Sequence, residues 1–522
     1  MINDKKGTLA KLYSKLQLER KPYEERARDA ASVTIPSVLK EDGENENTTF
    51  NTPYQSMGAR GVNNLSAKLL LSLLPPNTPF FKLQLNKMEL DKLGAEDPDL
   101  ATELESALAD VEKSVMSEIE TSKVRISVFE ALRHLIITGN ALLYIPKKGD
   151  IRVFHLDAYT IKRDSSGNIL SIVTKEKKAF GSLGKSIQEE ILQSQEMGTD
   201  VPEDKEFDLY TGIVWNSKVN KWDVHQEVSG LVLPESIGTY PKKDNPYIAL
   251  RFSKVDGESY GRGFVEEYLG DLVSLEGLRE SLLKGAKMAA KTVWMVRPGS
   301  ATDTRSLTKA KTGDIVKGNP EDIAVIQMNK FPDFQVAQQA AQGLEQVLSR
   351  IFLLNDAVQR QAERVTAEEI RFMIQELETT LGGVYSILSQ EFQLPLVRAL
   401  MSRMAKDKRL PKLPEGIVQP VIVTGVEALG RGNDLNKLNI FIEQAMRVLG
   451  PEIVGSMLNI DNLLTRIATS IGIDVEGLIK TEEERAAEAQ AQQEQALIQQ
   501  AAPGAIQEGI KQLGNQQQQP EG

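Results

Sequence analysis

The sequence predicts an α+β protein that is mainly helical, and three observations predict it. Apolar residues recur at three- and four-residue steps over long stretches toward both ends, as on one face of a helix. Alternating, β-branched runs take over between Ala141 and Phe252, the pattern of half-buried strands. Beyond Thr481 the chain turns Ala- and Gln-rich, with twelve Gln from position 490 onward, a composition that cannot bury a core. At 522 residues, roughly three domain-sized units are expected.

The first segment, to Lys40, reads as a helix with Leu9, Leu12, Tyr13, Leu16 and Tyr23 on one side, ending at the Ile35-Pro36 turn. An acidic, Asn-rich linker follows at 41–53. A second helix is signalled from Gly61 to Leu74 and is stopped by Pro75-Pro76. Asp97 to Thr121 and Val128 to Thr138 predict two more. The runs ALLYI, IRVFHL, ILSIVTKE, DLYTGIVWN, KWDVHQEV and PYIALRF then predict six strands, interrupted at 181–205 by a charged loop with helical potential.

Helix resumes at Gly263, with Val265, Tyr268, Leu269, Leu272, Leu275, Leu278 and Leu282 on one face. Glu266, Glu267 and Asp271 stand at its start and Lys284, Lys287 and Lys291 at its end, which complements the helix dipole. Between Thr292 and Met328, TVWMVRP, GDIVKG and IAVIQM predict three short strands of a small β insertion. Phe334 to Leu354 is helical again. Thr366 and Glu369 form a capping box for a long helix through Leu400, with bends expected at Gly382, Gly383 and Pro395. Several short helices are expected from Gly425 to Ile479, then a frayed or disordered tail.

Composition excludes several classes of function. There are no cysteines, so disulfides, thiolate metal sites and cysteine nucleophiles are out. The N-terminus is charged and lacks the apolar centre of a signal peptide, so no secretion is expected. The most apolar runs, Leu65 to Leu74 and Leu135 to Ile145, fall short of the roughly 20 residues that cross a bilayer. A net charge of −11 is the wrong sign for a protein that grips nucleic acid over its whole surface.

Catalytic motifs are absent. GSLGKS at 181–186 lacks the first glycine of a phosphate loop, since Ala179 stands there, and no buried strand precedes it. GESYGRG at 257–263 has the wrong spacing for a dinucleotide fingerprint and reads as a turn before a helix. His134, His155 and His225 show no paired ligand spacing and sit in apolar-patterned segments, which predicts structural roles and no metal or other cofactor. Glu266-Glu267 and Glu368-Glu369 begin helices, where dipole and capping explain them.

Two charge signals remain. Arg360, Arg364 and Arg371 lie four and seven residues apart, so at about 100° per residue they share one face of a continuous helix. Arg279 to Lys317 holds nine Lys or Arg against three acids, among them Arg297, Arg305, Lys309, Lys311 and Lys317. Both patterns also fit an ordinary solvated face.

Long strings spread along the chain carry a resemblance. They include PYEERARDAASVTIPS from Pro22, TPYQSMGARGVNNLSAKLLLSLLPP from Thr52, FEALRHLIITGNALLYIP from Phe129 and DGESYGRGFVEEYLGDLVSLE from Asp256. LTKAKTGDIVKGNPEDI from Leu307, AVQRQAERVTAEEIRF from Ala357, LGGVYSILSQEFQLPLVR from Leu381 and TGVEALGRG from Thr424 continue them. The chain resembles the portal proteins, or head-to-tail connectors, of short-tailed podoviruses that encode their own single-subunit RNA polymerase. The 41–50 linker, the 181–205 loop and the glutamine-rich tail depart from that pattern.

The resemblance implies a portal fold assembling as a twelve-fold homo-oligomeric ring at one capsid vertex of the virion, built in the host cytoplasm. It implies a wing at 1–262 with its strand-rich part at 141–252, a first stem helix at 263–291, a clip at 292–332 and a second stem helix at 333–354. A tunnel loop and long wing helix at 355–424, a crown at 425–480 and a low-complexity tail at 481–522 complete it. Double-stranded DNA would pass through the centre without being tightly bound, as a mostly acidic chain suits. Arg360, Arg364 and Arg371 become candidate gate residues, and Arg297, Arg305, Lys309, Lys311 and Lys317 candidate docking residues of the clip. Implied partners are the terminase large subunit, major capsid and scaffolding proteins, tail adaptor proteins and internal core proteins, with no membrane. The implied role is non-enzymatic: nucleating procapsid assembly, packaging the genome and ejecting it. The alternatives are another structural head or tail protein or, less well supported, a DNA-processing enzyme.

Overall fold

A computed structural model describes residues 7–40, 48–76, 79–85, 98–194, 201–289, 293–300, 302–326, 331–354, 376–377, 379–381, 383–410, 418–422, 430–450 and 463–464. Helix and sheet are mixed, and the chain divides into two units, Met1–Ala428 and Leu429–Gly522.

In the first unit, α1 (Thr8–Ser32) starts behind Gly7 and buries Leu9, Tyr13 and Leu16. Its start is capped from far along the chain: Glu227 Oε2 accepts the Leu9 amide at 3.0 Å, setting a carboxylate against the positive end of the helix dipole. Arg20 is 1% exposed; it donates to the Tyr159 carbonyl at 2.7 Å and to Glu24 at 3.2 Å. Pro22 lies inside α1, where the carbonyl it leaves without a donor is that of exposed Leu18, within reach of solvent. Helix α2 (Met57–Leu73) begins four residues before the predicted Gly61 and stops ahead of Pro75. After β1 (Phe81–Leu85) come α3 (Pro98–Thr121) and α4 (Val124–Thr138). Leu132, Leu135, Ile136 and Ile137 of α4 are buried together with Leu65, Leu69 and Leu73 of α2 in the main core.

The strand-rich region holds two sheets. β2 (Asn140–Tyr144) and β3 (Arg152–Phe154) belong to one. β4 (Tyr159–Arg163), β5 (Ile169–Ala179), β6 (Glu206–Asn216), β7 (Lys221–Val228) and β8 (Leu231–Val232) make an antiparallel meander, with β9 (Gly238–Pro241) also on β7. β10 (Tyr247–Arg251) returns to pair with β2. The six predicted strands are present; β1, β4, β8 and β9, of two to five residues each, are too short to give a pattern that stands out in the sequence. Within the interrupting segment the helical potential is realised as α5 (Lys185–Ser194).

The predicted helix from Gly263 is two helices, α6 (Phe264–Glu267) and α7 (Leu269–Ala289), parted at Tyr268. β11 (Val293–Val296), α8 (Thr304–Lys309) and β12 (Ile323–Ile326) follow, then α9 (Phe331–Ile351). The predicted middle strand GDIVKG does not form: Gly313 takes φ 100° and Ile315 is 100% exposed, so no neighbouring strand pairs with it. α10 (Val384–Leu388) runs through a π-helical turn at Ser389–Gln393 into α11 (Leu394–Lys406). β13 (Val418–Ile422) then pairs with β1 in a two-stranded sheet, which tolerates Pro420 because both strands are edges. This strand lies in a stretch the sequence assigned to loop and helix. In the second unit, α12 (Gly430–Leu449) exposes Ile440, Phe441, Met446, Val448 and Leu449.

Candidate docking and conduit surfaces

The glycine-rich GESYGRG string serves as a joint. α4 ends on Gly139 at φ 75°, and a Cβ there would collide with the backbone of Arg262 and Gly263. Asn140 clasps the same crossing, accepting the Gly261 amide at 2.7 Å and donating to the Gly261 carbonyl at 2.9 Å. The arm made by α7 and α9 is thereby anchored on the main core.

Two features hold the helices of the arm together. Gly285 of α7 lies against the ring of Phe334, leaving no room for a side chain. Arg279 Nε donates to Glu345 Oε1 at 2.9 Å across the pair. At the base, Leu272, Leu275, Ala341 and Leu348 are buried, and Phe264 meets Phe352 edge to face at 5.5 Å. Asn64 of α2 donates to the carbonyls of Phe352 and Leu353, fixing the end of α9.

Between the helices, β11 and β12 form a hairpin in antiparallel register from Val293↔Ile326 to Val296↔Ile323. Thr302 braces its loop, donating to Asp322 at 3.0 Å and accepting the Asn319 amide at 3.0 Å. Asp303 caps α8 through the Arg305 amide. Arg297, Arg305, Lys309, Lys311 and Lys317 are all exposed, and none forms an ion pair among the described residues. Trp294 is 62% exposed, and Met295, Leu307 and Ile315 are exposed as well. Five unpaired cations beside open apolar side chains suit a protein–protein contact, where aromatic residues and arginine supply much of the binding energy.

The other expected site falls elsewhere. Arg360, Arg364 and Arg371 lie outside the described residues, as does Gly382. Gly383 precedes α10, and Pro395 stands straight after the π-helical turn that joins α10 to α11, the kind of local irregularity at which a continuous helix carries a proline. Just past the arginine segment, Lys68 of α2 holds Glu376 at 3.0 Å. Nearby, Arg251 is clamped by Glu391, and burial next to Arg251 pulls Arg163 down to about 10.

GSLGKS is a helix start: the Gly184 carbonyl accepts the amides of Ile187 and Gln188, and the Gln188 side chain donates to the carbonyls of Phe180 and Leu183. The histidines are less inert than their spacing predicts. His134 and His155, far apart in sequence, meet edge to face with ring centroids 4.5 Å apart, beside Glu130. Only the strand that carries His155 back past α4 could have revealed this meeting. Among the described residues no helix is long and apolar enough to cross a membrane.

An anchored arm that ends in an exposed basic and apolar hairpin is the build of a structural assembly protein. Residues 6–479 match the family described as bacteriophage head to tail connecting protein. The chain is 43% identical to the portal protein of Escherichia phage T7 over 479 residues, 91% of this chain and 88% of that one. It is 31% identical to the portal protein of Enterobacteria phage SP6, over 97% of this chain and 98% of that one. In three dimensions it is similar to a chain from the neck of an empty GTA particle, at 11% identity and a TM-score of 0.37, over 77% of this chain and 90% of that chain. The chain belongs to the bacteriophage head to tail connecting protein family. Its role is that of a portal protein, a structural component of the virion where head meets tail, as the collinear strings implied.

Proposed function

We propose that copies of this chain close into a twelve-fold ring at one capsid vertex and that double-stranded DNA passes through it during packaging and ejection. In this reading α7 and α9 are stem helices, the β11–β12 hairpin is the clip, residues 1–262 with 355–424 form the wing, and 425–480 form the crown. The hairpin docks the terminase large subunit during packaging and tail adaptor proteins afterwards. The ring also nucleates procapsid assembly with capsid and scaffolding proteins and meets internal core proteins, all in the host cytoplasm.

The observation that supports this best is the hairpin, whose cations and apolar side chains stand open at the end of an anchored arm in a chain of this family. An acidic chain suits a conduit, because each phosphate held firmly by a cation would oppose sliding through counterion release. A few arginines repeated by ring symmetry still suffice to touch phosphates at a constriction, and Arg360, Arg364 and Arg371 are assigned to it.

Negative-stain imaging of the purified chain tests the reading: rings with a central hole are expected, and their absence overturns it. Arg371→Ala should leave ring assembly intact and reduce DNA retention in packaged particles. Unchanged retention removes Arg371 from the gate.

A further inference from the structure

We infer that Glu130, His134 and His155 form a binding site for one divalent transition-metal ion, of the zinc or cobalt type, which clamps α4 to the segment between β3 and β4. One ligand atom from each of the three lies within 4.8 Å of those of the other two. Glu130 and His134 are four residues apart on α4, one turn along the same face. His155 arrives from the end of β3 in extended backbone, at φ −65° and ψ 156°.

The two rings are prepared for the role in different ways. His155 Nδ1 lies 2.9 Å from the Val38 carbonyl, which can only accept, so Nδ1 carries the proton and Nε2 keeps its lone pair free in the neutral ring. A backbone carbonyl behind a histidine is the usual outer support of a metal ligand. His134 is 3% exposed, and its Nδ1 has no hydrogen-bond partner among the described residues. An unsatisfied buried ring nitrogen carries a desolvation cost that a metal bond removes.

Two nitrogens and one carboxylate, with room on the exposed Glu130 side for water, are a donor set typical of zinc and its neighbours. Hard ions such as magnesium and calcium prefer all-oxygen shells. Ligands at about 2.0–2.2 Å from a tetrahedral ion stand closer together than 4.8 Å, and exposed Glu130 has the freedom to swing in. Arg133 beside His134 opposes a bound cation, and the Glu130 carboxylate offsets it. The site goes beyond the conduit reading and stands without it.

The full-length chain, stripped with chelator and titrated with Co²⁺, tests the site. One Co²⁺ per chain is expected, with a visible absorption band of a low-coordinate nitrogen and oxygen site that Zn²⁺ displaces. The chain holds three histidines and no cysteine, so the source of the band can be traced. His155→Gln should abolish the band, Glu130→Gln should weaken binding by about tenfold or more, and His225→Gln should leave it unchanged. Zn²⁺ should raise the unfolding midpoint of the unaltered chain and not that of His155→Gln. Glu130 is exposed, so its variant folds and keeps the test decisive even where a histidine variant does not. No Co²⁺ band in the unaltered chain, or a band that survives both His155→Gln and Glu130→Gln, overturns the proposal.

Discussion

The core around α1 and the arm handle charge in opposite ways. Around α1 and the two sheets next to it, buried charges find partners inside the same chain: Arg20 holds Glu24 and a strand carbonyl, Glu227 caps α1, and Arg251 is clamped by Glu391. At the far end of the arm, five exposed cations pair with no described residue and Trp294, Met295 and Ile315 lie open. A burying surface must satisfy its polar groups at once, because an unpaired buried charge costs several kcal/mol. Exposed apolar groups beside unpaired charge are the mark of an interaction surface, the role proposed for the hairpin. The difference separates a part of the molecule whose charges are satisfied within the chain from one whose charges and apolar groups stand open.

Arg20→Ala would break the core side of this comparison most severely. It leaves the Tyr159 carbonyl without its donor and Glu24 held by Arg28 alone, at a cost of about 2–3 kcal/mol. Denaturant unfolding of the purified chain checks it, and a loss below about 1 kcal/mol would show that solvent reaches the site.

Acid sharpens the same side. The folded pKa of His134, about 3, lies below its ordinary value of 6.5, so between those values the unfolded chain binds a proton that the folded chain does not. The contribution is complete above pH 6.5 and is lost as pH falls toward 3, by up to about 1.4 kcal/mol per pH unit. In chelator, lowering the pH from about 7 to 5 should therefore destabilise the unaltered chain more than His134→Gln. Equal slopes for the two would mean that His134 is not shielded.

The hairpin should respond in the reverse manner. Trp294→Ala with Lys309→Glu removes an open aromatic and reverses an open charge, so stability should move by no more than about 0.5 kcal/mol. Capture of the terminase large subunit should nonetheless fall by about tenfold or more, measured by surface binding. A large loss of stability would mean that the hairpin is held by its own chain.

The sequence reveals the same division unevenly. Periodicity located α1, α2, the arm helices and six strands because each carries one continuous apolar face, and Pro75 marks the end of α2 through local backbone alone. β13 is hard to read from the sequence because its partner β1 is far away along the chain and its own run, VQPVI, holds a proline and does not alternate. The break at Tyr268 was missed because the leucine spacing continues across it. GDIVKG looked like a strand because propensity is local, whereas pairing needs a neighbour that the hairpin does not provide. The basic cluster was readable as charge, but its lack of partners became visible only in three dimensions. The meeting of His134 with His155 depends on tertiary contact alone.

Hydrogen exchange on the assembled chain with and without the terminase large subunit tests the central contrast most directly. The account predicts that new protection on binding concentrates at 293–326, while the core of α1, α2 and α4 is unchanged. Protection gained around α1, α2 and α4 with none in the hairpin would contradict it.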